Sequence, residues 1–161
     1  LANVRWHLIG HLQRNKVRRT IRCRPIIHSI DSQRLLKAVA AEAESQNQVV
    51  SVLLEVNISG DESKTGLTPA QLSAVLESLP GKGVVVRGLM AMAGWGTDPN
   101  QAQSQFAKVR ELRDRLVDRS GLALTELSMG MSGDFAAAIA EGATMVRIGS
   151  RLFAGVMEPR A

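Results

Sequence analysis

A chain of 161 residues, 45% of them hydrophobic, can bury one sizeable core, and its single cysteine, Cys23, excludes an internal disulfide and suits a reducing, cytoplasmic setting. The net charge of +5 is local, because seven of the 20 basic groups (Arg5, Arg14, Lys16, Arg18, Arg19, Arg22 and Arg24) fall in residues 1–24, where there is no acid. That cluster reads as a solvated helix face with almost no aromatics for base stacking, and no apolar stretch approaches the ~18 residues of a membrane span, so neither nucleic acid nor a membrane is expected as a partner.

The first residue is Leu1 and the chain enters a strand-like run at once, residues 6–9, so it reads as the later part of a longer protein. A second strand candidate covers 26–30, after which Asp31 or Ser32 caps a helix carrying Leu35, Leu36 and Val39 on one face. The third spans 49–58. Thr68 and Pro69 then start a helix whose buried stripe is Leu72, Val75, Leu76 and Leu79. A strand over 84–92 is followed by the same start signal, Asp98 and Pro99, before Ala102, Phe106, Val109 and Leu116. Residues 124–127 form the fifth strand, 136–140 a short apolar helix that Gly142 terminates, and 145–148 the sixth strand.

Six near-continuous apolar strands alternating with helices imply parallel strands buried on both faces, in one domain over residues 1–161. Two architectures fit: an open doubly wound sheet, or a (β/α)₈ TIM barrel lacking its first two βα units. In either, ligands sit where strands end, so the residues just after each strand carry the functional signal. Ser132 and Gly133 are expected to open a helix whose N–H groups attract an anion, and Gly149-Ser150 offer close backbone approach and a hydroxyl donor. Together they read as a phosphate cradle, with an ordinary capped Ser-Gly turn as the alternative.

Several motifs in one order add to this: Trp6-His7-Leu8-Ile9-Gly10, His28-Ser29-Ile30-Asp31, Asn57-Ile58-Ser59, Ser63-Lys64-Thr65-Gly66, Arg87-Gly88-Leu89-Met90, Ser128-Met129-Gly130-Met131-Ser132 and Val146-Arg147-Ile148-Gly149. Over essentially the whole chain this resembles the YggS/PROSC family of pyridoxal phosphate homeostasis proteins. The resemblance implies a fold-type III barrel like the N-terminal domain of alanine racemase, binding pyridoxal 5'-phosphate without established turnover. It implies a monomeric carrier and regulator in vitamin B6 and amino-acid homeostasis, with apo pyridoxal-phosphate enzymes as clients.

Carried over, Ser132, Gly149 and Ser150 hold the phosphate and Arg147 faces the pyridine nitrogen; Met131 and Asn57 are further residues expected at the ligand, with Asn57, at the end of a central strand, equally suited to tie down neighbouring loops. The family's covalent lysine falls on a strand before Leu1, and none of Lys16, Lys37, Lys64, Lys82 or Lys108 takes its place. An arginine beside the ring only donates, so it favours an unprotonated ring nitrogen and weakens the electron sink. A strand-end arginine paired with a carboxylate is the alternative role.

His7, His11 and His28 lack the spaced partners of a metal site and read as polar or packing residues. Met90 with Met92, and Met129 with Met131, alternate at strand period, so at least one of each pair is expected to fill core. Lys64 reads as solvated. Two rival functions remain: an alanine-racemase-like enzyme on the same barrel, needing a further acid/base group from another domain or subunit, and a basic RNA-associated module using residues 5–24.

Overall fold

The structure, a computed structural model, describes residues 4–60 and 65–155, so Ser63 and Lys64 of the polar loop lie outside the described residues. Six strands, β1 (His7–Leu8), β2 (Ile26–Ile30), β3 (Val50–Val56), β4 (Val84–Ala91), β5 (Glu126–Met131) and β6 (Met145–Arg147), alternate with helices α1 (Val17–Thr20), α2 (Gln33–Ser45), α3 (Pro69–Glu77), α4 (Pro99–Ser120) and α5 (Phe135–Ala140). Every pairing is parallel, and the spatial order repeats the chain order from β1 to β6.

A doubly wound sheet reverses its strand order at a switch point; this one advances in a single direction, so its crossover helices stack on one face. The sheet also curls. His28 Nδ1 on β2 lies 2.8 Å from Ser128 Oγ on β5, whereas strands three positions apart in a flat sheet are separated by about 14 Å. The chain is therefore an α/β structure whose six parallel strands form the curved wall of a (β/α) barrel, with β1 and β6 as its edges among the described residues.

The start signals of α2, α3 and α4 act as read, while α3 ends at Glu77, so Leu79, expected on its buried stripe, lies beyond it and only packs against the core. Ser32 Oγ caps α2, leaving Asp31 to pair with His11 at 3.1 Å. Thr68 and Asp98 each form a reciprocal capping box with the Gln three residues on, and proline occupies the first turn of α3 and α4. Leu35, Leu36 and Val39 of α2, Leu72, Val75 and Leu76 of α3, and Phe106, Val109 and Leu116 of α4 all join one apolar cluster with Val52, Leu54, Leu89, Leu127 and Met129 of the strands. The basic residues Arg14, Lys16, Arg18, Arg19 and Arg22 are exposed along the helical stretch around α1.

Five of the six strands differ in their bounds from the sequence reading, β4 and β6 by a single residue, ending at Ala91 and Arg147. β1 keeps only His7 and Leu8 because it has one neighbour to pair with, and Trp6 and Ile9 are exposed. β3 stops at Val56, short of residue 58. β5 begins at Glu126 and runs on to Met131, not 124–127: Ser128 and Gly130 weaken the apolar signal, yet both are buried in the ladder. A register shift between β3 and β4 accompanies Gly88, where any Cβ would collide with the backbone of Glu126 on β5.

Candidate functional site

Strand alternation gives the sheet two chemically different faces. Leu127 and Met129 of β5 enter the helix-covered cluster, so Ser128 between them points to the concave face. The same alternation puts His7, His28 and Arg147 on that face, where they join in one line of hydrogen bonds. His7 Nδ1 is 2.9 Å from His28 Nε2, and His28 Nδ1 is 2.8 Å from Ser128 Oγ. Arg147 Nη1 donates to both the carbonyl oxygen and Oγ of Ser128 at 2.8 Å, and Nη2 donates to the Ala91 carbonyl at 3.0 Å. Arg147 thus ties β6 to β5 and β4 without a carboxylate partner among the bonds of the described residues.

Burial, with His7 and the Arg147 charge adding to it, pushes the His28 pKa down to about 4, so its imidazole is neutral. Burial also pulls Arg147 below its ordinary value, opposed by the negative charges of Asp134 and Glu55. A guanidinium nevertheless stays a cation and can only donate. Ser128 Oγ therefore accepts from Arg147, and its own proton finds an acceptor at His28 Nδ1; His28 then carries its N–H at Nε2 and donates to His7.

At the mouth, where the strands end, the phosphate candidates meet. Ser132 Oγ follows β5 and accepts from the backbone N–H of Gly149 at 3.1 Å and of Arg151 at 3.3 Å, both of which follow β6. Two amides converging on one oxygen are the donor geometry that a phosphate oxygen takes. The helix expected to open at Ser132 starts instead at Phe135, because Asp134 turns back to accept the Met131 N–H at 2.6 Å. The donors of this corner therefore come from the segment after β6. Ser150 begins the short 3₁₀ turn Ser150–Phe153 and is exposed.

Two cavities flank Met131. One, of about 500 Å³, is lined by His7, His28, Met131, Arg147 and Gly149 among others. The second, of about 700 Å³, is lined by Glu55, Asn57, Met92, Trp95, Met131 and Asp134 among others. Asn57 lines the second cavity and Gly149 the first, and Asn57 Oδ1 accepts from Ser59 Oγ at 3.0 Å and Gly60 N at 3.1 Å, fastening the loop after β3. Met129 fills the helix-side core and Met90 is buried, while Met92 and Met131 are exposed at the mouth, one of each pair as expected.

The sequence reading missed Ser128 and the role of His28, because each strand end was read alone and only curvature brings β2 against β5. The parity was available: Ser128 alternates with Leu127 and Met129. Among the described residues no three His, Cys, Asp or Glu side chains gather as a metal site, and no helix is long and apolar enough to cross a membrane. A phosphate-bearing aromatic ligand fits what is present: two amides and the Ser132 hydroxyl at one corner, with Ser150 next in the chain after Gly149, and a cavity that brings Gly149, the Arg147 cation and Met131 together.

The comparisons with known proteins agree. The family model for the alanine racemase N-terminal domain matches residues 1–156. The pyridoxal phosphate homeostasis protein of Aquifex aeolicus is 43% identical over 152 residues, covering 94% of this chain and 67% of the relative, and that of Synechocystis is 40% identical over 157 residues, covering 95% and 72%. The structure of PipY from Synechococcus elongatus without PLP superposes with a TM-score of 0.90 at 39% identity, covering 95% of this chain and 72% of PipY. The structure of PipY with PLP bound gives 0.86 at 37% identity, covering 94% and 71%. A D-threonine aldolase from Filomicrobium marinum, at 19% identity and a TM-score of 0.69, shares the fold alone. With this wall, this mouth and these relatives, the chain belongs to the pyridoxal phosphate homeostasis proteins, a family built on the alanine racemase N-terminal domain.

Proposed function

We propose that this chain binds pyridoxal 5'-phosphate at the barrel mouth and serves vitamin B6 and amino-acid homeostasis as a cytoplasmic, monomeric cofactor carrier and regulator, with apo pyridoxal-phosphate enzymes as clients. The observation that carries this reading is the convergence of the Gly149 and Arg151 amides on Ser132 Oγ beside the pinned Arg147, in a family with a PLP-bound member.

In this reading the two amides and the hydroxyls of Ser132 and Ser150 hold the phosphate through charge-assisted hydrogen bonds. Arg147 donates to the ring nitrogen, and Met131 and Asn57 border the ring. When bound, the cofactor supplies an aldehyde and an electron-withdrawing ring. Arg147 keeps that ring's nitrogen unprotonated, which restrains carbanion chemistry and suits holding the cofactor over transforming a substrate.

Calorimetry tests this directly. Pyridoxal 5'-phosphate should bind much more tightly than pyridoxal, and inorganic phosphate should compete with it, because the phosphate corner supplies bonds that pyridoxal lacks. Equal binding of the two, or no competition, would remove the reading.

A further inference from the structure

Holding a phosphate and a ring does not by itself require a buried histidine and a buried serine behind the site, with a second, exposed histidine hydrogen-bonded to the first, yet four strands contribute to that line. β1 gives His7, β2 His28, β5 Ser128 and β6 Arg147, and β4 adds the Ala91 carbonyl. Ser128 is fully buried and His28 nearly so. Of the five N–H groups of a guanidinium, the bonds to Ser128 and Ala91 occupy both on Nη1 and one on Nη2. The guanidinium is planar and rigid, so fixing three N–H directions fixes the other two, on Nε and Nη2.

The bond from Nη1 to Ser128 Oγ holds only while the hydroxyl proton points elsewhere. His28 Nδ1 supplies that destination at 2.8 Å, and it can accept because its own N–H is engaged with His7 through Nε2. The Ser128 hydroxyl is thereby oriented by His28, and Arg147 by Ser128.

We propose that Ser128 and His28 are positioning residues for the cofactor ring: the line from His7 through His28 and Ser128 holds Arg147 so that a remaining N–H meets the ring nitrogen as a donor. This rests on the reading that Arg147 faces that nitrogen. Neither residue touches the phosphate corner, so their effect is confined to the ring end of the site.

The test uses pyridoxal 5'-phosphate labelled with ¹⁵N in the ring, bound to the full chain, with the ring-nitrogen chemical shift as readout. Arg147→Gln should move that shift towards the free-ligand value. Ser128→Ala and His28→Phe should move it the same way, leave the affinity for inorganic phosphate unchanged, and His28→Asn, whose side-chain oxygen can accept from Ser128, should restore much of the native shift. If His28→Phe fails to fold, Ser128→Ala, which removes one buried oxygen, carries the test. A shift that changes in Arg147→Gln but not in Ser128→Ala overturns the positioning role and leaves the ring reading standing. A shift unchanged in Arg147→Gln overturns both.

Discussion

The two faces of the curved sheet differ in what they are made of and what they do. The outer face is a continuous apolar layer, in which Val52, Leu54, Leu89, Leu127 and Met129 meet Leu36, Val39, Leu72, Phe106 and Val109 of the helices. The inner face carries His7, His28, Glu55, Ser128 and Arg147. Helices cover one face because every crossover advances in the same direction, and that asymmetry frees the other face for polar groups that hydrogen-bond one another. Stability should therefore reside mainly on the outer face and ligand chemistry on the inner one.

The largest effect should come from the outer face. Phe106 is fully buried at the centre of α4, and Phe106→Ala should cost about 3–5 kcal/mol in urea unfolding, with an unchanged m-value. A loss below about 1 kcal/mol would mean that this layer is not where stability lies.

The inner face should show itself through pH. His28 titrates at about 4 in the fold and at 6.5 when unfolded, so between those values the unfolded chain binds the extra proton and stability falls as pH is lowered; above 6.5 His28 adds no slope. Groups facing it are His7 and Arg147, with Glu55 and Asp134 acting on Arg147. The loss should be on the order of 2 kcal/mol after screening by solvent, and should shrink in His28→Asn. An identical pH profile for the two proteins would contradict the neutral, buried His28.

A smaller effect belongs to the mouth. Ser150→Ala should weaken pyridoxal 5'-phosphate binding by about 1 kcal/mol while leaving the unfolding midpoint in place, since Ser150 is exposed and the proposed function gives its hydroxyl to the ligand. A change in stability without a change in affinity would reverse that assignment.

The outer face was legible in the sequence because its code is local. Leu72, Val75 and Leu76 repeat at helical spacing, Thr68-Pro69 and Asp98-Pro99 announce their helices, and Val50–Val56 is apolar except at Ser51 and Glu55. The inner face is written across strands. Ser128 and His28 are 100 residues apart, and only curvature and register bring them together, so neither showed a role when its strand end was read alone. Arg147 was named, but its partners Ser128 and the Ala91 carbonyl were not. The same limit applies to the corner proposed for the phosphate. Ser132 and Gly149 were named, while the Arg151 amide, a backbone group with no sequence signature, was not.

The division between the faces can be tested most directly by titrating pyridoxal 5'-phosphate into the ¹⁵N-labelled chain and following its amide and guanidinium signals. The expected result is that the amides of Gly149 and Arg151 and the Nε–H of Arg147 move together and saturate at one affinity, while Phe106 and its outer-face neighbours stay in place. Shifts gathered on the exposed basic helix around Arg18 and Arg22, with Gly149 and Arg151 unmoved, would contradict it.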